Sequence, residues 1–201
     1  MEIKNNKEEL PFSHYEGLFA QADAAEIAAR LPGCNFDGNS FYVTLLGTEY
    51  TLTHPAFSCI PAAPLPVQTF LLRYLLEGKE VAWQGNWKTF REMPWGELYI
   101  KPYTGRVLTR AAFTFGTRLD AFRKGAENLG AKAGPHGDAG YEFAFLGGYR
   151  MQVLVWEGDD EFPPNAQVLY SDNFETGFAP EDRVVAGDIL ISVIKAAASG
   201  R

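Results

Sequence analysis

Two stretches of this chain set one hydrophobic run against another across a glycine turn, and that pattern dictates antiparallel sheet. In the first, Phe41 to Leu46 and Glu49 to Thr53 are rich in β-branched and aromatic residues. Gly47-Thr48 stands between them, glycine first, as suits a two-residue hairpin turn. In the second, Tyr141 to Leu146 and Tyr149 to Trp156 flank Gly147-Gly148. Gln167 to Tyr170 offers a third strand beside the second hairpin.

Helical spacing fills the segments between. Ser13 and Glu16 have the spacing of a capping box. Behind them Tyr15, Leu18, Phe19 and Ala22 recur on one face, and Leu31-Pro32-Gly33 ends the pattern. The stretch from Pro55 to Pro66 holds four prolines and reads as an extended connection. Val67, Phe70, Leu71, Tyr74 and Leu75 make one face of a helix stopped by Gly78. A further helix carries Phe115, Leu119, Phe122, Ala126 and Leu129, preceded by a turn or helix from about Arg106. The last, from about Glu181 to Ala198, has a narrow polar face of Asp188, Ser192, Lys195 and Ser199, so it should pack deeply.

Hairpins grouped apart from helices predict an α+β fold. The sheet is antiparallel, built from hairpins and a meander, with several packed helices. A single domain is expected over residues 13–201, behind a polar N-terminal tail at 1–12. No repeat or Gly/Ser linker divides the chain.

Composition removes several function classes. Aromatic residues make up 14% of the chain, too many for a disordered protein. A net charge of −7 argues against general nucleic-acid binding, which needs a basic surface. The polar N-terminus lacks the apolar segment of a secretory signal, and no apolar run approaches the roughly 20 residues of a membrane span. Cys34 and Cys59 make no disulfide framework and read as small interior residues. A cytoplasmic location is therefore expected, with no membrane contact. The charge is divided by sign: Met151 to Asp182 holds eight acids and no Lys or Arg, whereas Lys101 to Lys124 holds six bases and one acid. Such stretches could meet within the fold, across an oligomer, or on a charged partner.

Specific catalytic motifs are absent, and His14, His54 and His136 share no metal-ligand spacing. Three segments carry the candidate chemistry. Trp87 to Gly96 offers aromatic rings for stacking, with Arg91 to hold a carboxylate or phosphate and Glu92 beside it. The loop Gly134 to Gly140 puts His136 and Asp138 among glycines, leading to Glu142 on the following strand. Trp156, Glu157, Asp159, Asp160 and Glu161 crowd carboxylates that could hold a hard cation or share a proton, without the spacing of an EF-hand. The plainer readings are core aromatics, a turn and a solvated acidic loop. No residue is assigned as a metal ligand.

Four stretches together resemble the domain of unknown function 3786 family: FYVTLLGTEY at 41–50, WKTFREMP at 87–94, GDAGYEF at 137–143 and VWEGDDEFP at 155–163. The resemblance spans about residues 16 to 196. It implies an uncharacterised protein of anaerobic bacteria or archaea, whose relatives often occur with an iron–sulfur cluster domain tied to corrinoid metabolism. This chain lacks the cysteine spacing to hold a cluster itself. The leading expectation is thus a domain that binds a small ligand or cofactor, or acts as an accessory to an iron–sulfur or corrinoid protein partner. The alternatives are an enzyme with a carboxylate/His acid–base site that could use a divalent cation, and a protein–protein interaction module with segregated acidic and basic faces.

Overall fold

A computed structural model describes residues 6–200 of the chain. The N-terminal tail expected at 1–12 falls partly, at residues 1–5, outside the described residues. Helix α1 (Asn6–Gln21) already runs through the capping-box position at Ser13. The start signal there is overridden because Phe12 belongs to the helix and packs edge-on against Phe57, with ring centroids 5.8 Å apart. A break follows α1, and the Asp23 side chain accepts from the Ala25 amide at 2.8 Å to start α2 (Ala24–Arg30).

The expected α+β architecture with antiparallel sheet is present. The first half of the sheet comprises β1 (Asn35–Phe36), β2 (Ser40–Leu45), β3 (Thr48–Thr53) and β4 (Ser58–Ile60). Within the extended connection expected from Pro55 to Pro66, Ser58 to Ile60 pair along β3 as a strand. The β2–β3 turn lies one residue earlier than the sequence predicts, at Leu46-Gly47, with φ of 48° and 81°. Both positive angles belong to the turn type whose twist matches a hairpin. Leu46 is held there because its side chain is buried and its N–H donates to the Phe145 carbonyl at 2.8 Å.

Beyond α3 (Leu65–Glu77), the short β5 (Trp87–Thr89) precedes a 3-10 turn, Phe90–Glu92. Then come α4 (Gly96–Tyr103), a π-helical segment Thr104–Thr109 and α5 (Arg110–Phe115). The helix expected around Phe115 to Leu129 is two helices, α5 and α6 (Leu119–Asn128). The chain breaks at Gly116 because the acidic loop closes on it: an ideal Cβ there would lie 2.3 Å from Pro164, and the Gly158 N–H donates to the Gly116 carbonyl at 3.0 Å.

The second half of the sheet is β6 (Lys132–Ala133), β7 (Ala139–Leu146), β8 (Tyr149–Trp156) and β9 (Asn165–Ser171), followed by α7 (Phe174–Gly177) and α8 (Pro180–Ala198). Strand order is β4-β3-β2-β7-β8-β9-β5, with β1 beside β2 and β6 beside β7. Val43, Phe143, Phe145, Met151, Val153, Val168 and Tyr170 are buried, whereas intervening residues such as Thr44, Ala144 and Gln152 are not. This period-two pattern is that of a sheet covered on one face.

Helix α8 is buried along most of its length and carries two buried charges. Arg183 donates to the carbonyls of Phe178, Pro94 and Glu175, at 3.0, 2.8 and 3.3 Å. Asp182 meets the Arg73 guanidinium at 2.6 Å, and Arg73 also donates to Tyr15 Oη at 2.5 Å. Burial nevertheless holds the Asp182 carboxyl above its ordinary range, against the pull of Arg73. The segregated charge stretches are largely not each other's partners. Arg106 and Arg110 pair with Asp188, while Glu175 pairs with Lys88.

Candidate functional site

The two halves of the sheet join at one residue pair, Leu45 and Leu146. Each lies at the C-terminal end of its strand, so the β2–β3 turn sits beside the β7–β8 turn. Next to this joint opens a cleft of about 600 Å³. Thr44 and Ala144 are exposed on its walls with Tyr42 half-buried beside them, while Val43 and Phe145 turn their side chains to the covered face of the sheet.

Cys34 and Tyr74 line the cleft as buried residues, 6% and 3% exposed. An ideal Cβ on Gly147 would stand 3.7 Å from Tyr74 Oη, which places that phenol beneath the β7–β8 turn. Burial pushes the Cys34 thiol up to about 11, although its hydrogen bond with Tyr74 pulls the other way. Burial likewise raises the Tyr74 phenol well above its ordinary range. Both groups are therefore neutral near physiological pH, and each carries a proton to donate.

Among the lining residues Glu49 is the one that carries charge. At the edge, Glu80 accepts from the Gly33 amide at 2.7 Å. The nearby cation, Arg30, spends its guanidinium on the C-terminus of α3, donating to the carbonyls of Gly78 and Leu75. One of the two protons of Cys34 and Tyr74 is spent between them, so the cleft offers one neutral donor from this pair, an apolar wall and a negative rim. A protonated thiol is a poor nucleophile, so this environment suits binding better than thiolate chemistry.

The family model described as Domain of unknown function (DUF3786) matches residues 23–193. The chain belongs to the DUF3786 family. No curated protein and no solved structure matches it. The matched span includes every residue of the cleft.

Within this DUF3786 chain the sequence-predicted site residues fall into separate places. Trp87 is half-buried on β5, its ring 5.2 Å from that of Trp83. Arg91 forms an exposed pair with Glu97 at 3.2 Å. Glu92 accepts from the Thr89 amide and hydroxyl at 2.7 and 2.8 Å, bonds that hold its carboxyl below the usual range. Arg91 borders a hollow of about 270 Å³ with Tyr103 and Gln167. Glu157 borders a different one, with Arg118, Asp120 and Arg123, and the two share no residue.

Asp138 and the acidic loop are brought together. Asp138 Oδ2 accepts from the Glu157 amide at 2.8 Å, and the Asp138 N–H donates to the Val155 carbonyl at 3.0 Å. Asp159 accepts from the amides of Glu161 and Phe162, which lower its pKa and close the loop as a turn. Trp156 and Glu161 are exposed, as is His136 in the β6–β7 connection. Glu142 pairs with Arg150 at 2.7 Å on the open face of the sheet. Among the described residues, no group of three or more His, Cys, Asp and Glu could hold a metal ion.

Two features escaped sequence reasoning. Cys34 and Tyr74 lie far apart in the chain, and the segments that carry them are tied where Arg30 of α2 donates to the C-terminal carbonyls of α3. Trp95 is 70% exposed yet adopts a left-handed backbone, φ 66°, where glycine is favoured. It is pinned there from both sides. Pro94 is held by buried Arg183, and an ideal Cβ on Gly96 would lie 2.1 Å from the Phe90 carbonyl. The run Pro-Trp-Gly was the available signal, since it has turn residues on either side of the aromatic.

Proposed function

We propose that this chain is a binding protein whose small ligand occupies the cleft beside the Leu45–Leu146 joint. The observation that carries this reading is the buried neutral pair of Cys34 and Tyr74, with one proton left over for a ligand, in a cleft lined by no Lys or Arg. The ligand is uncharged or singly positive. It offers an acceptor to the Cys34–Tyr74 pair and an apolar body to Tyr42 and Ala144 on the open face of the sheet. Nucleotides and other polyanions are disfavoured, because nothing in the lining offsets their charge and Glu49 repels it. The same proposal includes a cytoplasmic accessory role in anaerobic metabolism, beside an iron–sulfur or corrinoid protein partner. That part rests on the family resemblance. No helix among the described residues is long and apolar enough to cross a membrane.

A ligand-observed NMR screen of small molecules sorted by charge tests the proposal. Neutral and cationic compounds should dominate the hits. Ala144→Trp should abolish them, because position 144 is an exposed wall of the cleft and can take the larger ring without disturbing the core. Hits dominated by anions, or hits that survive the substitution, overturn the reading.

A further inference from the structure

A second hollow, of about 420 Å³, lies between α1, α3 and α8 on residues the cleft does not use. Pro11, Pro66, Phe70 and Val185 give it an apolar lining. Its two aspartates are already engaged. Asp182 faces Arg73 through both oxygens, at 2.6 and 3.0 Å. Asp188 is shared between Arg106 and Arg110. What is left over decides the ligand. Arg106 commits one nitrogen to Asp188, at 2.8 Å, and its side chain is 53% exposed, so further donors remain. Lys7 and Glu8 line the same hollow without a hydrogen bond or ion pair among the described residues.

We infer that this groove binds an apolar α-amino acid. The uncommitted donors of Lys7 and Arg106 would take the carboxylate, the uncommitted Glu8 would take the ammonium, and the apolar surface between them would take the side chain. A polyanion fits poorly, because Glu8, Asp182 and Asp188 share the lining. A purely apolar molecule would leave both free charges of α1 unanswered. The site is independent of the cleft and stands whether or not the cleft binds anything.

The test is isothermal titration of the full chain with L-phenylalanine, alongside 3-phenylpropanoate and 2-phenylethylamine, which each keep one of the two charges. L-phenylalanine should bind saturably, and each singly charged analogue should bind about tenfold more weakly or worse, the loss expected of one missing polar contact. Arg106→Met and Glu8→Gln should each weaken L-phenylalanine by a similar factor. Both positions are exposed, and Arg110 still holds Asp188 when Arg106 is replaced, so folding is retained. Ala144→Trp should have no effect. The inference is overturned by the absence of saturation up to about 10 mM, by equal binding of either analogue, or by indifference to both groove substitutions. It is equally overturned if Ala144→Trp removes the binding, since the amino acid would then sit in the cleft.

Discussion

Leu45 and Leu146 face each other as the one residue pair through which β2 and β7 unite the sheet. Neither has much exposed surface, at 3% and 2%, and the Leu46–Phe145 hydrogen bond lies directly beside them. The joint is narrow, and it is also what shapes the cleft. Leu146→Ala should therefore cost about 2–5 kcal/mol of stability, as for other buried leucines truncated to alanine. Chemical denaturation measures the loss. Hydrogen exchange should show the Leu46 amide losing protection ahead of the β8–β9 pairing. A loss spread evenly over the sheet would mean the two halves are bound by more than this pair.

Trp95 holds a backbone conformation that costs of order 1 kcal/mol or more in a non-glycine residue. Its side chain is mostly in solvent and recovers little of that through packing. Trp95→Gly should raise stability by about 1 kcal/mol, allowing for the extra freedom of glycine in the unfolded chain. Urea titration reads the sign directly. A destabilised variant would show that the indole packs more than its exposure suggests.

Asp172 ties the segment around Gln84 to the end of β9. Partial burial disfavours its ionised form, but bonds from the Gln84 amide at 3.0 Å and from Asn86 at 2.9 and 3.2 Å outweigh this and lower its pKa. A carboxyl lowered on folding stabilises the protein above its unfolded pKa of about 4 and loses that contribution as pH falls through the folded value. Asp172→Asn should thus be destabilised by about 1.5–3 kcal/mol near neutral pH, the range for hydrogen bonds to a charged group. The gap from the parent should close on acidification below the ordinary carboxylate range. A gap that does not change with pH would remove the charge from the explanation.

Cys34 and Cys59 should differ in reactivity. Both thiols are raised by burial, but Cys34 reaches about 11 and is almost fully covered, whereas Cys59 is only half-buried. Iodoacetamide near neutral pH should modify Cys59 first and reach Cys34 only when the chain unfolds, as mass spectrometry of the intact protein and its peptides would show. Rapid alkylation of Cys34 in the native state would contradict the neutral thiol on which the cleft's chemistry rests.

Much of the fold was legible because both hairpins announce themselves through period-two runs and glycine turns, and α8 through its wide apolar face. The elements that sequence missed are those fixed by distant contacts. β4 exists because β3 offers it an edge, and the α5–α6 break exists because Pro164 crowds Gly116. The candidate site residues stand out in the sequence for local chemical density, and several of them have local partners in the fold. Glu92 caps a turn, Asp138 and Asp159 hold backbone amides, and Glu142 answers Arg150. The cleft is assembled from segments around residues 34, 44, 74 and 146, a juxtaposition no local pattern encodes.

Backbone amide shift mapping of the isotopically labelled chain against neutral and cationic fragments is the most direct measurement of whether the cleft binds. The perturbed amides should cluster at Cys34, Asn35, Thr44, Ala144 and Gly147, and addition of phosphate or acetate should leave those amides unmoved. Perturbations centred on the arginines of α5 and α6, or a cleft that answers anions as readily as neutral fragments, would contradict it.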